Sequence, residues 1–182
     1  MELKSVADLM IPIEEYPTVS LDASLLDAIR VVKEAQETRP RTRAFYRAVL
    51  VTDRQGKVVG KLGQLRFLQA LEPKYSSVGT DFDKLASVQA SPEYLASMMD
   101  QMGFFEESLA ELCQRQLHMP VKNAMRPVTV TIAVDTPLGE ALHLLVVTQQ
   151  LSLVVADGEE AVGLLRLSDL CDEVVRYMVT LE

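Results

Sequence analysis

The chain has 182 residues, enough to bury a core without disulfide or metal staples. Apolar residues are 48% and charged residues 24%, the balance of a globular protein and not of a disordered or fibrous one. The net charge of -8 disfavours polyanionic partners, so neither nucleic acid nor an anionic membrane surface is expected.

The opening residues, MELKSVADLM, lack the basic region and apolar run of a secretory signal. No stretch has the roughly 18 uninterrupted apolar residues of a membrane span. Cys113 and Cys171 lie far apart in apolar helical patterns, which predicts buried free thiols and a reducing, cytoplasmic setting.

In chain order, Ser5 is placed to cap a short helical turn over Val6 to Met10, which Pro12 and Pro17 end. Thr18–Leu21 is β-branched enough for a short strand. Asp22 or Ser24 then caps a helix whose apolar face is Leu25, Ala28, Ile29 and Val32. Ala48–Thr52 is an unbroken apolar run, predicting a strand buried on both faces. Asp53 to Gly56 is a turn, Lys57 to Leu62 the returning strand, and Leu65, Leu68 and Leu71 mark a closing helix before Pro73.

Residues 73–119 follow a different pattern. Pro73–Thr80 reads as loop. Asp81–Gln89, Pro92–Met102 and Phe104–His118 read as helices, with Ser91 as a cap and Gly103 as a stop. Phe105, Leu109, Leu112 and Gln116 recur at helical spacing in the last of these. One reading is a helical hairpin over the sheet edge. The other is a partner or dimer surface, given Met98, Met99, Met102, Phe104 and Phe105 in close succession.

From Pro120 the first pattern returns. Val121-x-Asn123-x-Met125-x-Pro127 matches Val6-x-Asp8-x-Met10-x-Pro12. Thr129–Val134 is the strand, and Asp135 or Thr136 caps a helix with Pro137 at its first position. Its apolar face is Leu138, Ala141, Leu142 and Leu145. Leu151–Ala156, the Asp157-Gly158 turn, Ala161–Leu165 and a helix bearing Leu167, Leu170, Val174 and Tyr177 complete the copy. Two copies of one β-α-β-β-α unit, packed against each other, are therefore expected. A cleft between such halves is a common ligand site. The first copy carries about nine extra residues before its central strand, the stretch Thr38–Arg47. That stretch holds Arg39, Arg41, Arg43 and Arg47, which read either as a phosphate-binding lip or as a solvated loop offsetting nearby acids.

The ordered set, occurring twice, resembles the cystathionine-β-synthase (CBS) domain. The residues that carry the likeness are the two opening motifs, Leu25-x-x-Ala28 and Val58-Val59-Gly60, then Leu138-x-x-Ala141 and Val162-Gly163 through Ser168-Asp169-Leu170. The resemblance implies an α/β (α+β) fold of two β-α-β-β-α repeats, residues 1–72 and 120–182. They would pack with pseudo-twofold symmetry around a helical insertion, residues 73–119. It also implies two clefts, a homodimer, and a non-catalytic regulatory role toward an unknown partner protein. No cofactor is required, and the regulatory ligand would be AMP, ADP, ATP or S-adenosylmethionine. A structural or interaction protein with degenerate sites is the alternative.

The family's ligand signature is Gly, two apolar residues, Thr or Ser, two residues, then an Asp that holds the ribose hydroxyls. The first copy, Gly60-Lys61-Leu62-Gly63-Gln64-Leu65-Arg66, lacks both polar groups. The second, Gly163-Leu164-Leu165-Arg166-Leu167-Ser168-Asp169, keeps the acid and puts Arg166 at the hydroxyl position. Asp169 is thus the expected ribose acceptor, or simply a first-turn acid on a helix. Arg166 would pair with a phosphate through its planar fork. Ser168 reads as a helix cap as readily as a ligand contact. Adenine is expected against Val130, Thr131 and Ile132, with Ser152 and Leu153, residues that also read as core strand. His118 and His143 have no metal-ligand spacing with either cysteine, and no phosphate loop or nucleophile elbow is present.

Overall fold

Each repeat is organised around one short strand too apolar to leave exposed. The computed structural model describes residues 4–38, 46–75 and 91–181. The first repeat contains β1 (Ile11–Pro12), β2 (Thr18–Ser20), α1 (Leu25–Thr38), β3 (Ala48–Thr52), β4 (Val58–Gly63) and α2 (Gln64–Leu71). Helices α3 (Pro92–Gln101) and α4 (Leu109–Gln116) follow. The second repeat contains β5 (Arg126–Pro127), β6 (Thr131–Ala133), α5 (Leu138–Thr148), β7 (Ser152–Asp157), β8 (Glu160–Arg166) and α6 (Leu167–Val179). In each, a parallel strand pair is bridged by a helix and extended by an antiparallel hairpin.

Strand alternation divides the core into three. Val49 and Val51 of β3 point at Leu25 and Ala28 of α1, and Leu153 and Val155 of β7 point at Ala141 and Leu145 of α5. The residues between them, Leu50 and Val154, face the other way and meet Ile11, Tyr16, Tyr46, Val58 and Leu164 in a cluster between the sheets. This is why the two central strands read as unbroken apolar runs: both faces are covered.

The sheets run β2-β3-β4-β5 and β1-β8-β7-β6, so each opening segment joins the sheet of the other repeat. Ile11 and Pro12 pair with Leu164 and Gly163, and Pro127 and Arg126 pair with Gly60 and Lys61. Val6 N–H donates to the Thr136 carbonyl at 2.9 Å, and Val121 N–H to the Ala23 carbonyl at 2.8 Å. The repeated motif now has a physical meaning. Val6 and Val121 are fully buried plugs in the sister repeat's core. Met10 and Met125 lie over Gly163 and Gly60, where no Cβ is in the way.

Several expectations are corrected. Ser24, not Asp22, caps α1, its hydroxyl accepting from Asp27 N–H at 3.1 Å, while Asp22 pairs with Lys122 and Arg54. Pro137 occupies the cap position of α5 and not its first turn. Ile29 is 40% exposed, so the inner face of α1 is Leu25, Ala28 and Val32. On α2, Leu65 and Leu68 point to solvent, and Phe67, Ala70 and Leu71 turn inward. On α6, Leu167 and Tyr177 are exposed, and Glu173 takes an inner position held by Lys4 at 2.5 Å. Cys171 is exposed and Cys113 half-buried.

The expected helix from Phe104 is shorter. Gly103, at φ +71, ends α3, and Ser108 opens α4 by accepting from Glu111 N–H while Glu111 accepts from Ser108 N–H at 2.8 Å. Phe105 and Leu109 are exposed, while Phe104 is buried beside Tyr75 at 5.0 Å between ring centroids. Helix α4 packs chiefly on α2. The chain after it supplies the Leu117 and Met119 carbonyls to Leu26 and Leu25 N–H at the start of α1. The expected helix Asp81–Gln89 lies outside the described residues.

A methyl on Gly163 would stand 2.7 Å from the Ile11 carbonyl oxygen, whereas on Gly60 it would chiefly meet the mobile end of Met125. Backbone cannot step aside as a thioether can. Gly163→Ala should therefore destabilise by about 1–3 kcal/mol, and Gly60→Ala by less, as read from urea unfolding midpoints.

Candidate functional site

At each hairpin the other repeat's opening strand crosses, making two junctions between the sheets, here called the first and second clefts. They are equivalent in backbone and unlike in side chains.

The first cleft gathers Asp169 and Arg166 from the start of α6 and the end of β8. Arg166 Nε donates to Asp169 Oδ2 at 2.6 Å and Nη2 to Oδ1 at 2.5 Å. Both side chains are mostly buried, at 11% and 15% exposure. Against them stand Tyr16 and Tyr46 of the first repeat, edge to face with centroids 5.2 Å apart. Tyr46 donates its hydroxyl to the Glu15 carbonyl at 2.9 Å. Burial pushes the Tyr16 phenol up to about 12, with Arg166 pulling the other way and Tyr46 and Asp169 adding to the rise. Ser168 is exposed, and its side chain makes no cap bond, because Arg166 holds the cap position of α6.

The second cleft is crossed by Lys61 of β4. Its Nζ donates to the carbonyl and hydroxyl of Ser152, the latter at 3.2 Å, and to Gln150 Oε1 at 3.0 Å. Arg126, Val128, Thr129 and Val130 form the walls. Desolvation, helped by the charge of neighbouring Arg126, lowers the Lys61 ammonium to about 8.

The structure does not bring the expected residues into one site. Asp169 and Arg166 face the first repeat's tyrosines, because its opening segment crosses to β8. Val130 borders the opposite cleft, and Ser152, cross-strand from Arg166, binds Lys61. Ile132 and Leu153 lie in the second repeat's own core. Thr131 is exposed on edge strand β6, lining an open groove with Glu140, His143 and Val147. Arg47 is exposed, and its carbonyl accepts from Gln64 N–H at 3.2 Å. Arg39, Arg41 and Arg43 lie outside the described residues. Three residues went unnoticed in the sequence: Tyr16, Tyr46 and Lys61. The signal for Lys61 was present, as a lone cation inside the apolar run Val58–Leu62.

A family model for the CBS domain matches residues 6–72 and 121–176. The chain belongs to the CBS-domain family. CBSX2 from Arabidopsis thaliana, a CBS-pair protein, is 17% identical, with a TM-score of 0.62 over 97% of this chain and 98% of its own. A structure of CBSX2 in complex with AMP is 18% identical, with a TM-score of 0.59 over 96% and 98%. A CBS domain-containing protein from Bacillus anthracis str. Ames Ancestor is 15% identical, with a TM-score of 0.62 over 95% and 94%. These likenesses establish the tandem CBS fold. No curated protein sequence matches the chain. Among the described residues, no helix is long and apolar enough to cross a membrane.

Because folding holds the Lys61 proton less tightly than the unfolded chain does, the unfolded state binds more protons between about pH 8 and 10.5. Stability contributed at this position should rise with pH across that window. Wild type should gain on Lys61→Met between pH 8 and 10.5 in paired denaturation curves.

Proposed function

We propose that this CBS pair is a non-catalytic regulatory module that binds an adenosine-type nucleotide in the Asp169 cleft. The observation that carries the reading is the carboxylate of Asp169, held at the mouth of α6 where the family places its ribose acceptor. Arg166 uses one lone pair on each carboxylate oxygen, so each oxygen retains a second for a ribose hydroxyl. Tyr16 and Tyr46 pack beside it as a buried aromatic pair. The AMP in the CBSX2 complex supports the ligand class. Binding would regulate by favouring one relative pose of the repeats, which requires different affinity for the two poses.

The alternative is an interaction protein whose sites have degenerated. The Arg166–Asp169 pair favours it, since the two charges already compensate each other. Thermal melting with AMP, ADP, ATP and S-adenosylmethionine separates the two. A ligand at a hundred times its Kd should add about 2.7 kcal/mol. Asp169→Ala and the closer mimic Asp169→Asn should abolish the shift, and Arg66→Ala should keep it. Silence of the wild type across the panel decides for the alternative.

Assembly as a homodimer belongs to either reading. Leu65 and Leu68 on α2 and Leu167, Val175 and Met178 on α6 form exposed apolar stripes on equivalent helices of the two repeats. A second copy of the chain would cover both. Light scattering should give a dimer for wild type and a monomer for Leu68→Glu combined with Val175→Glu.

A further inference from the structure

We propose that the groove between the free edge of β6 and helix α5 is a docking site for an extended peptide segment of a partner protein, apolar at alternate positions and carrying a lysine or arginine at one end. The groove shares no lining residue with either cleft and stands apart from the nucleotide reading.

The strand edge is one wall. β6 is the outermost strand of its sheet, so one side of it meets β7 and the other meets no described strand. Val134 N–H donates to the Ala156 carbonyl at 3.0 Å. Successive residues bond to opposite sides, so Ile132 also bonds toward β7, while Thr131 and Ala133 turn their N–H groups outward. Residues 128–134 contain neither a charge nor a proline, the devices that commonly guard an exposed edge.

The helix is the other wall. Glu140, His143, Leu144 and Val147 recur at three- and four-residue steps along one flank of α5. With Thr131 and Ala133 they border a groove of about 540 Å³, a volume typical of binding sites. Val147 is 80% exposed there. When Leu25 is aligned with Leu138, the same flank in the first repeat is Asp27, Arg30, Val31 and Glu34, which suits water. The apolar groove therefore belongs to one repeat.

These walls specify the occupant. Outward-facing strand amides call for another extended backbone, and an added strand drops every second side chain toward the helix. Helix α5 returns the chain to the start of parallel β7, so it runs opposite to β6. Val147 thus lies at the Thr131 end of the groove and Glu140 at the Ala133 end. Glu140 and nearby Asp135 are exposed, and among the described residues no cation pairs with either. A lysine or arginine at that end of the peptide supplies the missing charge. A second copy of the chain fits less well. Twofold pairing of two β6 edges would set each Glu140 against the other copy's Val147, burying two carboxylates without a counter-charge.

Selection from a displayed library of random short peptides on the full chain tests this, followed by fluorescence anisotropy with synthetic copies of the enriched peptides. Enriched peptides should alternate apolar residues and carry a lysine or arginine toward one end. Val147→Glu, at an exposed position, should weaken their binding at least about tenfold, the loss expected for one buried aliphatic contact. Glu140→Lys should turn the selection toward peptides bearing aspartate or glutamate. Methylating every second backbone nitrogen of the peptide should abolish binding in one phase and spare it in the other, because only one set faces β6. Three results would each overturn the assignment. The first is no peptide enriched on wild type over Val147→Glu. The second is binding indifferent to methylation in both phases. The third is a dimer that Val147→Glu alone turns into a monomer in light scattering, which seats a second copy in the groove.

Discussion

The reciprocal crossing of the two opening segments is the contact on which the architecture depends. Ile11–Pro12 completes the second sheet, and Arg126–Pro127 completes the first. Each repeat therefore lacks a buried valine, an edge strand and a cover for its hairpin glycine until the other supplies them. A repeat on its own would leave that surface open to water, so the halves are one cooperative unit and not beads on a string. The glycine contact sets the spacing: the Ile11 carbonyl approaches Gly163 at a distance no side chain would allow.

That exchange makes two clefts from one backbone plan, and single residues make them differ. Leu164 and Lys61 occupy equivalent positions one residue after the hairpin glycine. Leu164 joins the apolar cluster with Tyr16 and Tyr46, closing one end with aromatic packing. Lys61 bridges to Ser152 and Gln150, closing the other with polar contacts. Aromatic packing resists opening through lost area, whereas a lysine tether yields to any competitor with stronger acceptors. The two ends thus differ in the forces that hold them closed.

The fold was legible because its signals are local. The doubled motif, the apolar strands, the turn glycines at Gly56 and Gly158 and the helix phases all survive in the linear pattern. The crossing was not legible, since a two-residue strand has no periodicity and its partner lies about 150 positions away. The linear pattern groups the expected ligand residues by repeat for the same reason: it sets Asp169 beside Val130, whereas in the structure Tyr16 stands near Asp169. The closing helices misled differently. Leu65, Leu68 and Leu71 share a spacing of three, but Phe67, Ala70 and Leu71 make an equally good stripe, and packing chose the second. Leucines left outside are invisible to a rule that sends every apolar stripe inward. Arg166 and Asp169 read as separate ligand groups, although at three residues apart on a helix start they are also natural partners for each other.

Each borrowed strand ends in proline, Pro12 in β1 and Pro127 in β5. A proline carries no N–H and cannot offer the donor that a further strand would need. The outer margins of both sheets on that side are therefore blunted against recruitment of a neighbouring chain. A protein that relies on trading strands between its halves has, at the same spot, a safeguard against trading them with strangers.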